Sequence, residues 1–532
     1  MKLYVRSLIL ILALYGLVFA VGDAYLSRRG APMWVALAFA AGFVGLQYLV
    51  GPYLIAFFLK IRWDDLGGEL PARNREFLRK LCTERGLKMP RIGIIDSGTP
   101  NAFTYGHVPS NARVVVTTGL LKILTPEESN AVLAHEMGHV EHYDFIVMTL
   151  AALAPLLLYQ LYAFTRGNSN TRPVAAGAYL AYWVSEYIVL MLSRTREYFA
   201  DLYSARVTGT PDALASALVK IAYGIFQADG ELAAALDNAE SKEKARWQRE
   251  RVRAGSMALM GISNLDAGRS LALVGEGGAG AAAIMRWDLV NPWARLYELN
   301  STHPLTALRI QGLNRESERM HQAVTHPLPN DRRLHWGTFP LEVLLWAAPW
   351  VCGVAALMAL PAHIFLHRMA WAHAVAPLLL AITGFLWMLR TQFRYSGTCR
   401  PATIASLMED VEVSEMRPRA VRLEGTIVGF GVPGAFFCAD MVLRDATGLL
   451  YVLYKQSIPF ARLKFALTET AGYVGQKVAI EGWFRRGLRP YIEIGRLTGE
   501  DGRSVHTWSR WVHYGIAALL TGGGLAWLAL GR

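Results

Sequence analysis

Cysteine is scarce: the 532 residues hold four, Cys82, Cys352, Cys399 and Cys438, and no two of them form a CxxC pair. A disulfide framework and a thiolate zinc finger are thereby excluded, and the soluble parts fit a reducing cytoplasm. Charge is scarce as well. Only 18% of residues are charged while 53% are hydrophobic, and the mean hydropathy is +0.25. That balance excludes disordered and collagen-like classes and exceeds the apolar share of an ordinary soluble chain. The charge that remains is one-sided, +12 in net terms. Such a surplus suits nucleic acid, anionic lipid or the positive-inside bias of a membrane protein.

What the chain does have is long hydrophobic runs. Seven are long enough for a helix to cross a bilayer: Ser7 to Gly22, Pro32 to Leu59, Phe145 to Thr165, Val174 to Leu192, Val343 to Leu366, Met369 to Leu389 and Trp511 to Leu530. The first also reads as a signal peptide, with Lys2 and Arg6 before it and Ala20-Val21-Gly22 at its end. Either way residue 60 reaches the same side. Lys60, Arg62, Arg194, Arg196, Arg332, Arg333, Arg390, Arg394 and Arg510 all flank spans on that side, which the positive-inside rule makes cytoplasmic. Glu186 lies inside the fourth run on the face it shares with Glu197. A carboxylate there either lines a wet cavity or pairs with a neighbouring helix.

The chemistry is concentrated in residues 125–139, TPEESNAVLAHEMGH. Thr125 is an N-cap, Pro126 suits the first helical position and Glu128 completes a capping box, so HEMGH falls well inside a helix. Residues four apart share a face, so His135 and His139 aim at one metal ion, with Glu136 beside them to polarise a metal-bound water. A catalytic zinc needs a third protein ligand. SRTREYFAD, residues 193–201, offers Glu197 and Asp201 one turn apart; one can bind metal while the other holds a ligating histidine from behind.

With these motifs in hand, the sequence resembles the HtpX-like membrane metallopeptidases, relatives of the CAAX prenyl endopeptidases. HEMGHVEHYD matches their HExxH followed by an aspartate, here Asp144, and SRTREYFAD matches their glutamate-ligand motif. NAFTYG (101–106) looks like their NAF-x-x-G segment, and His303-Pro304 with Arg309-Ile310 looks like their HP-x-x-x-x-R-I. The resemblance covers about residues 1 to 320. It implies a gluzincin-type zinc endopeptidase in which His135, His139 and Glu197 bind Zn2+ and Glu136 is the general base. It further implies that His303 steadies the tetrahedral intermediate with Arg309 as its support, and that Asp144 and Asp201 act from behind the ligands. Ile92 to Ile95 and Arg113 to Thr117 read as strands around the NAF segment, so Asn101, Ala102 and Phe103 are candidates for holding an extended peptide along a sheet edge.

Residues 391–509 change character. Val421 to Phe430, Asp440 to Arg444, Leu449 to Lys455, Lys477 to Arg485 and Tyr491 to Leu497 read as five strands, with a helical stretch near Ala461 to Tyr473 after the third. That order resembles an OB-fold barrel, and Arg485, Arg486, Arg489 and Trp483 could line a nucleic-acid groove. The modest basic content argues against nucleic acid as a partner, and tethering between two spans favours protein interaction or a structural role. KEKARWQRERVR (242–253) reads as a solvated helix and GEGGAGAAA (275–283) as a flexible loop.

The expected architecture is a polytopic α-helical membrane protein with a mainly helical zinc protease domain, a small β-sheet edge in that domain, and a C-terminal β-rich OB-like barrel. Its blocks are two transmembrane segments (1–59), the peptidase (60–340, including spans 145–165 and 174–192), a transmembrane hairpin (341–390), the barrel (391–509) and a last span (510–532). The expected activity is cleavage of membrane-associated or misfolded proteins at the cytoplasmic face of the inner membrane, in contact with membrane lipid. The alternatives are processing of lipidated C-termini and a non-proteolytic scaffold. The topology is testable: cysteines introduced within 391–509 should resist an impermeant thiol reagent applied to intact cells, and ready labelling there would overturn the seven-span arrangement.

Overall fold

The computed structural model of the protein describes residues 32–65, 67–167, 169–222, 278–329, 333–365, 370–430, 438–458, 460–487 and 490–530. The first hydrophobic run and the basic stretch at 242–253 lie outside the described residues. The other six runs are helices of sufficient length and apolarity to span a bilayer: Trp34–Phe58, Asp144–Thr165, Ser169–Thr208, Phe339–Leu360, Ala374–Arg394 and Ser509–Leu530. Their large exposed side chains, among them Trp34, Leu180, Met358 and Leu519, fit a lipid environment.

The described residues form two compact units, the first comprising those up to 222 together with 296–329, the second comprising 278–295 together with 333–530. The first unit begins with membrane helix α1 (Met33–Phe58). Next come β1 (Arg62–Trp63), α2 (Ala72–Arg85), β2 (Arg91–Ile95), β3 (Ala102–Tyr105) and β4 (Arg113–Thr117). The strands lie in the order β1-β2-β4-β3, with β2 parallel and β3 antiparallel to β4, so β3 is an edge. One face of this sheet packs Ile95, Phe103, Tyr105 and Val115 around Leu59 and Ile61. The end of a membrane helix thereby becomes part of the sheet's core.

Helix α3 (Pro126–Glu141) carries HEMGH, and its capping box forms as the sequence dictates. The Thr125 hydroxyl accepts from Glu128 N at 3.2 Å, and a Glu128 carboxylate oxygen accepts from Thr125 N at 2.8 Å. Glu128 also accepts from Ser216 at 2.7 Å and pairs with Lys220, fastening the helix start to helical residues 211–222. At the other end Tyr143, with φ of +58°, turns the chain sharply into α4 (Asp144–Thr165). Helix α5 (Arg172–Thr208) completes a membrane hairpin and runs on beyond the apolar stretch to pack on α3. That crossing is close: a Cβ on Gly138 would lie 3.1 Å from the Ala200 Cα.

The chain resumes with α6 (Gly278–Val290), which belongs to the second unit, and returns to the first in α7 (Thr306–Arg319). The loop expected at 275–283 is therefore helical from Gly278 onward. Ala281 to Ala283 are strong helix formers, and Ile284, Met285 and Trp287 after them are buried. Packing of that apolar end overrides the glycine content.

The rest of the second unit holds membrane helices α8 (Phe339–Phe365), α9 (Ala370–Arg394) and α11 (Ser509–Leu530). Helices α9 and α11 meet backbone to backbone, since a Cβ on Gly384 would stand 2.4 Å from Thr521 N. Small residues at such contacts are the usual means of helix association in lipid. Between them lie the two-residue β5 (Arg400–Pro401), β6 (Arg419–Phe430), β7 (Met441–Arg444), β8 (Leu449–Leu453), α10 (Ala461–Thr468), β9 (Lys477–Arg485), β10 (Tyr491–Gly499) and the short β11 (Ser504–His506). Pairing runs β6-β7-β8-β10-β9 and back to β6, a closed five-stranded barrel in which β8 and β10 are parallel.

The basic groove imagined on this barrel is not built from Arg485 and Arg486, because both are buried. Arg485 donates to Glu493 at 2.9 Å and to the carbonyls of Glu415 and Arg394. Arg486 donates to the Ile284 carbonyl at 2.7 Å and to the Met408 carbonyl, and its guanidinium lies over the Trp287 ring. Burial pushes the Arg486 pKa down to about 10. Trp483 packs edge-on against Tyr395, and Arg489 lies outside the described residues.

The α3–α5 crossing yields a test. Gly138→Val inserts branched carbon where Ala200 and Tyr203 already touch, so unfolding monitored by denaturant should show a loss of about 1–3 kcal/mol, the usual range for overpacking. A variant as stable as the wild type would mean the two helices are not held at this distance.

Candidate active site

Three elements converge in the first unit. Helix α3 presents His135 and His139 on one face, α5 crosses it at Gly138 and presents Glu197, and the segment before α7 brings His303. The His135 and His139 Nε2 atoms stand 3.3 Å apart. Glu197 Oε2 is 3.6 Å from the first and Oε1 is 3.7 Å from the second. Donor atoms bound to one tetrahedral ion at about 2.0–2.2 Å lie about 3.3–3.6 Å from each other, close to the spacing seen here. The set, two imidazole nitrogens and one carboxylate, therefore fits a zinc-like ion in both chemistry and spacing.

Each histidine is held from behind. Asp201 Oδ1 lies 3.0 Å from His135 Nδ1, and Asp144 Oδ2 lies 2.6 Å from His139 Nδ1. Both rings thus turn Nε2 toward Glu197, the arrangement by which second carboxylates fix the tautomer of metal-binding histidines. Glu197 faces the Nε2 atoms and Asp201 faces an Nδ1.

Each supporting carboxylate is itself met by an arginine. Arg309 donates to Asp201 through Nε at 2.9 Å and Nη2 at 2.7 Å, and its Nη1 lies 3.5 Å from Glu197. Its forked contact is thus with Asp201. Arg196 pairs with Asp144 and also donates to the His142 carbonyl at 2.9 Å. Burial alone would depress the His135 pKa, but the Asp201 and Glu197 carboxylates outweigh it and hold it up at about 9. For His139 burial prevails and the pKa falls. Burial likewise works against the Arg309 charge, and Asp201 and Glu197 more than restore it.

Glu136 is buried beside His135, and the Thr104 hydroxyl donates to its Oε2 at 2.6 Å. His303 Nδ1 lies 3.3 Å from Glu197 Oε1, and its loop is tied to α5 by Ser193 on the Thr302 carbonyl and Arg194 on the carbonyls of Glu298 and Ser301. The NAF side chains take another part. Ala102 and Phe103 are buried, while the Asn101 N–H donates to the Thr117 hydroxyl at 2.9 Å and its carbonyl accepts from Thr117 N at 3.0 Å. What β3 offers a ligand is its backbone edge, which no strand covers among the described residues. Glu186 lies three turns back along α5, hydrogen-bonded by Tyr182.

Two contacts were invisible in the sequence, Thr104 on Glu136 and Arg196 on Asp144. Both join residues far apart in the chain, and neither residue type announces a role by spacing. Arg309 carries a prediction: Arg309→Gln leaves buried carboxylates short of their cation, which typically costs about 3–5 kcal/mol. Chemical unfolding of the metal-free protein should show a loss of that order, and a loss below about 1 kcal/mol would mean Asp201 finds another partner.

Comparison with known proteins bears on the same stretch of chain. Residues 71–317 match the model of Peptidase family M48. A protease HtpX homolog of Methanothermobacter thermautotrophicus is 36% identical over 225 residues, covering 41% of this chain and 86% of that protein. One from Paraburkholderia phytofirmans is 34% identical over 227 residues, covering 41% and 78%. Among solved structures, that of S. mikatae Ste24p aligns with a TM-score of 0.34 and 16% identity over 58% of this chain and 65% of that one. With the histidine pair, the crossing glutamate and the membrane helices in place, the chain belongs to peptidase family M48 as an HtpX-like membrane metalloendopeptidase.

Proposed function

We propose that the protein is a gluzincin-type zinc endopeptidase that cuts membrane-associated or misfolded proteins at the cytoplasmic face of the inner membrane. The observation that carries this reading is the spacing of His135, His139 and Glu197 around one point, with Glu136 fixed beside them. Zinc bound there would supply a Lewis acid for the scissile carbonyl and a water acidified toward a pKa of ~7. The chain's own groups do the rest. Thr104 engages Glu136 Oε2, so Oε1 accepts the proton of the attacking water and delivers it to the departing amine. His303 sits beside Glu197, where it can donate to the oxyanion as that charge develops. Asp201 and Asp144 would keep Nδ1 of each histidine protonated, leaving each Nε2 free to hold the ion.

The free edge of β3 suits an extended peptide, because pairing through the main chain asks little of the side chains. Loose sequence demands match quality-control cleavage better than processing of one C-terminal motif. The cytoplasmic assignment rests on the Lys and Arg flanks of the spans. For the second unit we infer an OB-like barrel with a structural or protein-interaction role. Its strand order, the helix between the third and fourth strands and the parallel β8–β10 pair support the likeness. The burial of Arg485 and Arg486 speaks against nucleic-acid binding by those residues.

The roles of the two carboxylates can be separated in detergent-purified protein by elemental analysis alongside cleavage of an unfolded protein, with and without chelator. Glu136→Gln should keep its zinc and lose at least about 100-fold in turnover, the scale of a general base. Glu197→Gln should lose zinc and activity together. Full zinc in Glu197→Gln with loss in Asp201→Asn would reverse the assignment, and undiminished cleavage by Glu136→Gln would remove the mechanism.

A further inference from the structure

Helix α10 has two faces that make opposite demands. Phe465 turns inward, buried and stacked on Tyr454 with ring centroids 4.0 Å apart. Leu463 and Leu467, one turn apart on another face, are 49% and 55% exposed, and the segment leading into the helix adds Ile458 at 42% and Phe460 at 83%. Four large apolar side chains in ten residues form a patch on a barrel that otherwise alternates buried and exposed positions. Phe460 holds a φ of +61°, a conformation uncommon for a bulky aromatic residue. Contiguous exposed apolar surface of this kind marks a surface that something covers.

The neighbouring chain indicates what covers it. Ser457, next to Ile458, has its hydroxyl 3.4 Å from the Ser509 hydroxyl and 3.5 Å from His513. Ser509 donates to the Lys455 carbonyl at 2.8 Å. Ser509 is the first residue of membrane helix α11. Around that entry point Trp508 and Trp511 are exposed, and Arg510 lies over the rings of Trp511 and Tyr514. Tryptophan, tyrosine and arginine in this grouping mark the headgroup level of a bilayer. The apolar patch therefore adjoins the place where its own chain enters the membrane.

We propose that Ile458, Phe460, Leu463 and Leu467 form a foot by which the barrel rests in the bilayer interface beside α11. The patch lies parallel to the surface by the logic of a short amphipathic helix, with apolar side chains among the upper acyl carbons. Lys464, exposed on the same helix, is then within reach of phosphate headgroups. Arg462 stays with the barrel, paired to Asp440 at 2.6 Å. The foot gives the barrel a second attachment besides its covalent tethers, which limits its rotation over the membrane. It requires nothing of the protease chemistry and would survive the failure of that reading.

The test places nitroxide labels at Leu463→Cys and Leu467→Cys in the full-length protein, with Cys352 and Cys399 replaced by Ser, in nanodiscs of phosphatidylcholine and phosphatidylglycerol. Glu424→Cys, on the charged face of β6, serves as the aqueous reference, and Leu519→Cys, within α11, as the lipid reference. The ratio of collision with oxygen to collision with a water-soluble nickel chelate should be several-fold higher at 463 and 467 than at 424, approaching that at 519. A ratio equal to that at 424 would put the patch in water and overturn the proposal. Shielding from both reagents would overturn it too, because the patch would then be covered by protein.

Discussion

Everything in the catalytic unit depends on gathering acidic groups where water cannot reach them. Glu136, Asp144, Glu197 and Asp201 are all buried, and a buried carboxylate without a partner is among the most costly features a fold can contain. The structure meets the cost in two layers. Arg309 and Arg196 take the outer positions, on Asp201 and Asp144. The two imidazoles take the inner positions, their Nε2 atoms facing Glu197. In that setting Asp201 and Glu197 hold the His135 pKa up against burial, whereas burial prevails at His139. A carboxylate flanked by two imidazole nitrogens is also the donor set a divalent cation would take.

Geometry delivers this field through one helix crossing. Glycine at 138 and alanine at 200 let α3 and α5 approach until Glu197 reaches between the two histidines. Ser204 reinforces the contact one turn further on, donating to the Ala131 carbonyl at 2.6 Å. Helix α5 is also half of a membrane hairpin, and Asp144 is the first residue of the other half. Arg196 bridges the two, holding Asp144 and the His142 carbonyl together. Support for His139 therefore comes from the very corner where the chain leaves the soluble unit for the membrane.

How much of this the sequence revealed depends on how local each feature is. The HEMGH helix was legible because its cap, its first-turn proline and its four-residue histidine spacing all lie within one segment. Asp144 and Arg309 were reached only through family resemblance, and their partners only in space. Arg309 was expected as a support for His303, and in space its fork meets Asp201. The barrel strands were legible from alternation, since a strand with one wet face writes its period into the sequence. The burial of Arg485 and Arg486 was not legible for the opposite reason. Whether an arginine is exposed depends on distant acceptors, here Glu493 and the carbonyls of Ile284, Met408, Glu415 and Arg394, and no local pattern announces them.

The same two arginines change how the second unit should be understood. Glu197 and His303 stand 3.3 Å apart at the site, yet the chain between them passes through the other unit. Residues 278–295 pack there, with Trp287 donating to the Val413 carbonyl at 2.7 Å, Asn291 to the Val411 carbonyl at 2.8 Å and Arg486 to the Ile284 carbonyl. An appended module would leave the catalytic chain uninterrupted. This one holds part of the stretch that joins a metal-facing carboxylate to a histidine beside it. Removing the barrel would strip Trp287, Asn291 and Ile284 of these partners and loosen residues 278–295. The entropy of that freed stretch would then oppose holding the His303 loop against α5, where Ser193 and Arg194 bind it. The path of the chain thus links the two units between two residues of the site, which is a physical reason for the two to occur in one chain.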